Sequence, residues 1–200
     1  MTLRITTGRL KGFTLAGPLG ESTRPTSAKI RTAVMNSLVS EIPECTFCDL
    51  FAGTGAMGLE ALSRDARMSY FVENDRKALQ VLQKNVLAAQ SRCSEIQATI
   101  IPYSAEQAVT RVAPPIDILW ADPPYAWEWT DILEVIKPFS KLMNSSGTIL
   151  IETSRSRGNA APPEIGSWKM VRCRNYSDTT VLVFKLNMAD TLAADRETEP

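Results

Sequence analysis

The glycine-rich segment between residues 47 and 62 restricts the possible folds of this chain more than any other feature. Apolar residues from Phe47 lead to Asp49, the turn Gly53–Gly55 follows, and Leu59–Leu62 has the composition of a helix. Glycines at a strand-to-helix turn let the backbone approach a ligand closely, and the helix N-terminus adds unpaired N–H groups. The segment therefore predicts a strand, a ligand-binding turn and a helix in succession.

Strand-like and helical segments alternate through most of the chain. The pattern predicts strands over Thr46–Phe51, Ser69–Glu73, Ile96–Ile101, Ile116–Ala121 and Thr148–Glu152. It predicts helices over Ala56–Arg64, Arg76–Ala89, Ala105–Val112 and Trp127–Leu142, the last interrupted at Pro138. Helices between successive strands indicate a parallel sheet, whose ligands bind at the carboxyl ends of its strands.

Hairpins are predicted at both ends of this pattern. The pairs are Leu3–Thr6 with Arg9–Ala16, and Trp168–Tyr176 with Thr179–Leu186. Thr26 or Ser27 is expected to cap a helix after the first hairpin, and the polar segment Arg155–Gly166 is expected to be a loop. We expect an extension over residues 1–42, a main domain over 43–186 and a disordered tail over 187–200.

Acidic residues follow the first two predicted strands. A dinucleotide-binding motif would be matched by Gly53, Gly55 and Gly58, but Asp49 would repel a pyrophosphate and suits an ammonium group better. Glu73 ends the second strand, where a ribose diol is usually bound. The two acids favour a nucleoside ligand with a positive charge.

The sequence Asp122-Pro123-Pro124-Tyr125 directly follows the fourth predicted strand. Prolines fix their own backbone dihedrals and lack an N–H group, so nearby carbonyls stay outside helix and sheet. The turn can present a carboxylate and a carbonyl beneath an aromatic ring, which suits the exocyclic amine of a nucleobase. Taken alone, these four residues could equally be an acidic turn that separates a strand from a helix.

The order of these motifs resembles class I S-adenosylmethionine-dependent methyltransferases that act on amino nitrogens. Arg24-Pro25-Thr26 before Lys29–Leu38, together with Asp49–Gly55 and Gly58–Arg64, resembles the RsmD family more closely. The resemblance extends from about Arg4 to Phe184. The segment Pro102–Glu106 lacks the acid or amide expected immediately after the third strand, and the tail after Leu186 has no counterpart.

The resemblance implies an α/β, Rossmann-like fold and a role for each matching residue. The fold would be a mostly parallel seven-stranded sheet with helices on both faces, an antiparallel C-terminal hairpin and a small N-terminal β-hairpin. Catalysis would involve Asp122, Pro123, Pro124 and Tyr125. S-adenosylmethionine would contact Asp49, Phe51, Ala52, Gly53, Thr54, Gly55, Glu73, Asn74, Ser104, Ala105 and Asp122. RNA would contact Arg4, Arg9, Lys11, Arg24, Thr26, Arg31 and Tyr125.

The implied activity is methylation of the N2 amine of a guanine in small-subunit (16S) ribosomal RNA, either free or within an assembled subunit. Residues 1–42 would then contact RNA and residues 43–186 would bind the cofactor. Two alternatives stay open. One is a methyltransferase that acts on another amine, since the same acceptor geometry serves N6-adenine in DNA or RNA and the amide of protein glutamine. The other is a non-catalytic RNA-binding module.

Charge and composition set the remaining expectations. The first 40 residues hold six Lys and Arg against one Glu, which suits a phosphate backbone, although the net charge of the chain is zero. The absence of histidine excludes His-dependent triads and His-ligated metal sites. We interpret the four cysteines as reduced thiols and expect no metal. The chain is expected to be cytoplasmic, because no apolar stretch could span a membrane and no signal peptide is recognisable. We also expect a monomer.

Overall fold

The computed structural model of the protein describes residues 3–17 and 28–187. Within them, eight strands form one sheet in the order β3-β2-β1-β4-β5-β8-β7-β6. The strands are β1 (Thr46–Asp49), β2 (Met68–Val72), β3 (Ala98–Ile101), β4 (Ile116–Ala121), β5 (Met143–Ser154), β6 (Glu164–Ile165), β7 (Trp168–Tyr176) and β8 (Thr179–Leu186). The helices are α1 (Ala28–Ser37), α2 (Ala56–Ser63), α3 (Arg76–Arg92), α4 (Ala105–Ala108), α5 (Trp129–Ser140) and α6 (Arg155–Gly158).

The sheet confirms the Rossmann-like fold expected from the sequence. Strands β1 to β5 pair in parallel, and β5, β8, β7 and β6 pair antiparallel. The C-terminal hairpin turns at Ser177, whose φ of 56° is left-handed. Seven strands were predicted and eight are present, because the expected loop over residues 155–166 contains α6 and the two-residue edge strand β6.

Other element bounds also differ from the expectations. Helix α4 ends at Ala108 rather than near Val112, and β5 begins at Met143, five residues earlier than predicted. Pro138 does not interrupt α5, which continues to Ser140. Proline removes one backbone hydrogen bond donor, and an amphipathic helix with Val135, Ile136 and Phe139 buried keeps its packing despite that loss.

Alternate residues of the strands supply two apolar cores, one on each face of the sheet. Phe47 of β1 belongs to the core beneath α1, α2 and α3, and we call this side the first face. Cys48 belongs to the core beneath α4 and α5, the second face. All four residues of β1 are buried, as expected for a parallel strand covered on both sides.

The N-terminal segment packs on the first face, but neither strand of its predicted hairpin (Leu3–Thr6 and Arg9–Ala16) forms. A single antiparallel bridge joins Arg4 to Thr14, and the turns between them include Gly8 and Gly12 at φ of 78° and 79°. A Cβ atom on Gly8 would lie 1.6 Å from the carbonyl oxygen of Ser63, so only glycine permits this close approach. Ile5, Leu10 and Leu15 are buried in the first-face core. The predicted helix cap at Thr26 or Ser27 lies outside the described residues.

The strand order creates a crevice between β1 and β4. The connection after β1 places α2 on the first face, whereas the connection after the neighbouring β4 places α5 on the second face. Ligands of open α/β sheets bind where adjacent connections diverge in this way, at the carboxyl ends of the strands. Asp49 is the last residue of β1 and Asp122 directly follows β4, so both residues lie at this crevice.

Candidate active site

Backbone hydrogen bonds attach the glycine-rich turn to the neighbouring strands. Leu50 donates to the carbonyl of Trp120 at 2.9 Å, and Ala52 donates to the carbonyl of Val72 at 2.9 Å. The N–H of Gly53 donates to Oε2 of Glu73 at 2.8 Å. The turn is therefore held against the ends of β2 and β4 before any ligand binds.

The glycines of this turn serve different purposes. Gly53 and Gly55 both have left-handed φ angles, 52° and 80°. A Cβ on Gly53 would meet no atom within 4 Å, whereas a Cβ on Gly55 would lie 2.6 Å from Cδ1 of Leu82 in the core. A side chain on Gly55 would therefore enter the core. The motif alone suggested that such a side chain would fill the space of the ligand, and the structure shows that it would not. Gly58 allows α2 to pack on Phe71, since its Cβ would lie 2.3 Å from that ring.

Two alanine substitutions separate these roles. Both Gly53→Ala and Gly55→Ala place a side chain at positive φ, which costs about 1–2 kcal/mol of backbone strain. Gly53→Ala should weaken cofactor binding more, because its methyl group would occupy the open space beside the turn. Gly55→Ala should lower the thermal midpoint more, because it displaces Leu82. Calorimetry and thermal unfolding measure the two effects, and the reverse ranking would contradict this assignment.

Asn85 of α3 connects the glycine turn to the N-terminal segment. Its side-chain amide donates to the carbonyl of Thr54 at 2.9 Å, and its Oδ1 accepts from the N–H of Ala16 at 2.8 Å. The side chain is buried, so these bonds also satisfy polar groups that water cannot reach. Sequence reasoning did not identify Asn85, because a polar residue within a predicted helix usually faces solvent.

Asp49 is a buried carboxylate at the end of β1. It is 1% exposed, and its Oδ1 has no hydrogen bond partner within the described residues. Burial raises the pKa of Asp49 from 3.8 to about 7; backbone hydrogen bonds from Gly58 and Phe51 oppose this rise, and the charge of Glu73 adds to it. A buried carboxylate with an unused oxygen is suited to a cationic ligand, which would stabilise its ionised form.

Glu73 organises the end of β2 and one side of the cleft. Besides Gly53, its carboxylate accepts backbone N–H groups of Asn74 at 2.9 Å and Asp75 at 2.8 Å. Predicted cofactor residues that line the cleft here are Phe51, Glu73, Asn74, Ser104 and Ala105. Tyr103 and Trp127 also line it and were not predicted. The Tyr103 ring has the guanidinium of Arg111 3.8 Å from its centroid, a contact between side chains eight residues apart.

The Asp122–Tyr125 turn lies across the crevice from the glycine turn. Asp122 is partly buried, Pro123 is buried, and Tyr125 is 57% exposed. Trp127 donates its backbone N–H to the carbonyl of Pro124 at 3.0 Å, and its ring meets Phe51 edge-on at a centroid distance of 5.5 Å. The Asp122–Tyr125 turn, which we call the acceptor turn, is thus linked to the glycine turn through two neighbouring aromatic rings, those of Trp127 and Phe51.

Arg157 of α6 supports the Asp122–Tyr125 turn and was missed in the sequence. Its Nη2 donates to the carbonyl of Tyr125, and its Nη1 donates to Oγ1 of Thr153 at 3.2 Å. Its own carbonyl accepts the indole N–H of Trp129 at 3.1 Å. The residue lies in a segment predicted to be a polar loop, and no local pattern indicates that it folds back onto β5.

Replacement of Arg157 tests whether this support matters for catalysis. Arg157→Lys keeps the positive charge, but a single ammonium group cannot donate to the Tyr125 carbonyl and to Oγ1 of Thr153 as the two ends of the guanidinium do. Loss of one hydrogen bond that involves a charged group costs about 1.5–3 kcal/mol. We expect kcat to fall by the corresponding factor of roughly 10 to 150 with cofactor affinity unchanged. Arg155→Lys, on the same helix and exposed, is the matched control. A change in cofactor affinity at constant kcat would disprove the supporting role.

Apart from Tyr125, the predicted RNA contacts that the structure describes do not gather at this site. Arg31 is fully buried, with Nε 3.4 Å from Oε2 of Glu60, so its guanidinium is unavailable to RNA and that prediction is wrong. Arg9 pairs with Asp65 at 2.9 Å and Glu95 at 2.7 Å, which precede β2 and β3. These acids lie at the amino ends of the strands. A five-residue strand such as β2 places them roughly 17 Å from the carboxyl ends, where the crevice lies.

Lys11, Arg4 and Tyr125, the other predicted RNA contacts that the structure describes, lie apart from one another. The carbonyl of Lys11 is 3.5 Å from Nη2 of Arg92, the last residue of α3, so Lys11 also lies near the amino edge. Arg4 is exposed, and its carbonyl accepts from Nη2 of Arg31 at 2.7 Å. Arg24 and Thr26 lie outside the described residues. Among the predicted RNA contacts that the structure describes, Tyr125 lies at the crevice.

A doubly wound sheet with an acid after each of three strands and an Asp-Pro-Pro-Tyr turn at its switch point is the architecture of a Rossmann-like methyltransferase. The family model described as Conserved hypothetical protein 95 matches residues 3–185. The chain belongs to this family, the RsmD family of methyltransferases.

Individual relatives agree with this assignment. Ribosomal RNA small subunit methyltransferase D of Haemophilus influenzae is 27% identical over 172 residues, which cover 85% of this chain and 86% of the relative. The protein YlbH of Bacillus subtilis is 29% identical over 186 residues, covering 92% and 98% of the two chains. The solved structure of Escherichia coli yhhF has a TM-score of 0.78 and 26% identity, and the match covers 94% and 99%.

Across residues 3–17 and 28–187, none of the helices is both long and apolar enough to cross a membrane.

Proposed function

We propose that this methyltransferase transfers a methyl group from S-adenosylmethionine to the exocyclic N2 amine of a guanine in small-subunit (16S) ribosomal RNA. The observation that carries the proposal is the meeting of Asp49, Glu73 and the Asp122–Tyr125 turn at one crevice. The name of the Haemophilus influenzae relative supports small-subunit ribosomal RNA as the substrate. The guanine N2 position comes from the resemblance of Arg24-Pro25-Thr26 and its neighbours to the RsmD family.

The residues at the crevice fit the charge and shape of this cofactor. Oδ1 of Asp49 is buried without a partner in the described part of the chain, which suits the cofactor ammonium. The space beside Gly53 is open to its methionine portion, and Glu73 would accept hydrogen bonds from the ribose hydroxyls. Phe51, Asn74, Ser104 and Ala105 line the adjoining cleft and would contact the adenosine.

The pKa of Asp49 predicts a pH dependence of cofactor binding. The ammonium favours ionised Asp49, so binding below pH 7 releases a proton and affinity should rise by up to about tenfold per pH unit, then level above about pH 7. Without cofactor the raised pKa has the opposite consequence, and stability should decline as pH rises from 3.8 toward 7. Asp49→Asn should bind weakly at every pH. Calorimetry in buffers of different ionisation enthalpy counts the protons, and proton uptake would contradict the assignment.

The bound cofactor supplies an electrophilic methyl group, and the protein prepares the amine that receives it. Asp122 and the carbonyl of Pro123 would accept the two N–H bonds of the guanine amine. These bonds hold the nitrogen lone pair out of conjugation with the ring and direct it toward the crevice. Tyr125, exposed at the end of the turn, would stack on the base.

Asp122 would also accept the proton that the amine loses after methylation. No covalent intermediate with the protein is needed, so most of the acceleration would come from positioning. The target guanine must leave its stack or be unpaired beforehand, which costs a few kcal/mol. The Asp122–Tyr125 turn is partly exposed at the carboxyl ends of the strands, so such a base could reach it.

Mass mapping of methylated nucleosides in ribosomal RNA from cells with and without the gene tests this proposal. Loss of one N2-methylguanosine from small-subunit RNA, restored by the wild-type gene and not by Asp122→Ala, is the expected result. Loss of N6-methyladenosine, or of a methylated glutamine in protein, would assign the acceptor turn to one of the alternatives. An unchanged methylation pattern in RNA and protein would contradict the enzymatic proposal.

A further inference from the structure

Strand β7 carries a row of basic side chains outside the crevice. Lys169, Arg172 and Arg174 are all exposed. Strand β6 covers only the first two residues of β7, so within the described residues no strand lies beyond the outer edge from Val171 onward. An exposed edge strand that carries cations resists pairing with other chains, which is one reason for such residues here. Their arrangement on the sheet indicates a second role.

A β-bulge places these cations on one face of the sheet. Met170 pairs with Phe184 and Arg172 pairs with Val183, so Val171 is the additional residue. Without it, side chains three residues apart, such as Lys169 and Arg172, would point to opposite faces. With it, Lys169 lies opposite Lys185 and Arg172 lies opposite Val183, two positions that share a face.

The face in question is the first face, beside α1. Val181 and Val183, opposite Arg174 and Arg172, pack with the first-face core. Tyr176 packs against the same core at the end of the row. Helices α1, α2 and α3 cover the strands from β3 to β5 on this face, whereas both arginines of β7 are exposed.

The arginines of the row have no acidic partner in the described part of the chain. Lys185, on the neighbouring strand, pairs with Glu41 at 2.7 Å. By contrast, the side chains of Arg172 and Arg174 form no ion pair or hydrogen bond within residues 3–17 and 28–187. Two arginines separated by one residue on a strand lie roughly 6.6 Å apart and are held by the sheet, which suits successive phosphate groups.

The row leads toward the acceptor turn. The register across the sheet aligns Ala121 of β4, Ile151 of β5, Leu182 of β8 and Cys173 of β7. Asp122 and Arg174 each follow an aligned residue on strands that run in the same direction. They therefore lie at the same level, three strand spacings or roughly 14 Å apart. Arg9 and Lys11, by contrast, lie at the opposite edge of the sheet.

We infer that Arg172 and Arg174 bind the phosphate backbone of the substrate RNA near the target nucleotide, with the bulge at Val171 setting their direction. This inference rests on the proposed function for the identity of the substrate. It assigns the phosphate contact to the C-terminal hairpin, in place of the basic N-terminal segment that composition alone favoured.

The test compares two double substitutions with equal loss of charge. Arg172→Gln with Arg174→Gln removes the row, and Lys137→Gln with Lys141→Gln removes two exposed cations at the end of α5. Binding of a short labelled single-stranded RNA is measured at several salt concentrations. The row variant should lower the slope of log affinity against log salt by about 1.4, since each phosphate contact on a single strand contributes about 0.7. The α5 variant should retain the wild-type slope, and both should bind S-adenosylmethionine normally.

Other outcomes distinguish this inference from the proposed function. An unchanged slope in the row variant, or an equal fall in the α5 variant, would overturn the phosphate contact even if the wild-type protein methylates RNA. Failure of the wild-type protein to methylate any ribosomal RNA would overturn the proposed function, and the salt dependence would still decide where RNA binds.

Discussion

Asp122→Ala is expected to reduce methyl transfer to RNA by several orders of magnitude while cofactor binding stays near the wild-type value. The substitution removes a hydrogen bond to the amine and the proton acceptor together, and both act as the new bond forms. The fold should tolerate the change, because Asp122 is only partly buried and lies just after the last residue of β4. Single-turnover kinetics with guanine-containing RNA, together with calorimetry for the cofactor, measure the two effects.

Substitutions of Tyr125 provide the graded control for this experiment. Tyr125→Phe should keep most activity because stacking requires the ring, whereas Tyr125→Ala should lose roughly 1–3 kcal/mol of base stacking. The expected order is wild type near Tyr125→Phe, then Tyr125→Ala, then Asp122→Ala. Near-normal turnover in Asp122→Ala would mean that the four-residue turn is structural and that the proposed chemistry is wrong.

The position of the crevice could be predicted because it depends on strand ends. Asp49, Glu73 and Asp122 each end or directly follow an apolar segment, and parallel strands bring their carboxyl ends to one edge. The direction of a side chain could not be predicted in the same way. Gly53 and Gly55 are equivalent in the motif, yet only the packing of Leu82 shows that Gly55 faces the core.

Residues available to contact RNA are harder to predict from the sequence, because charge composition contains no information on burial. Arg31 and Glu60 are 29 residues apart in sequence and form a buried pair. The bulge at Val171 is equally hidden, since regular alternation would separate Lys169 from Arg172. Arg31 was therefore assigned to an RNA contact although tertiary pairing buries it.

Glu60 of α2 is expected to be a position outside the crevice at which substitution strongly lowers stability. Its carboxylate is fully buried and accepts the backbone N–H and hydroxyl of Thr6, while Arg31 and Arg64 each approach it at 3.4 Å. This cluster joins the N-terminal segment and α1 to the helix that begins at the glycine turn. Loss of Glu60 would remove the carboxylate that faces the buried Arg31 guanidinium at 3.4 Å, and breaking one side of a buried ion pair costs about 3–5 kcal/mol.

Glu60→Leu should therefore lower the free energy of unfolding by about 3–5 kcal/mol, a large part of the roughly 5–15 kcal/mol that stabilises a typical domain. The double variant Arg31→Met with Glu60→Leu removes both charges and should recover most of the loss, because apolar replacements of a buried pair are often neutral or stabilising. Recovery should be incomplete, since the N–H of Thr6 loses its carboxylate acceptor. Urea denaturation of the three proteins measures the difference. If the double variant were as unstable as Glu60→Leu alone, the buried charge of Arg31 would not be the cause.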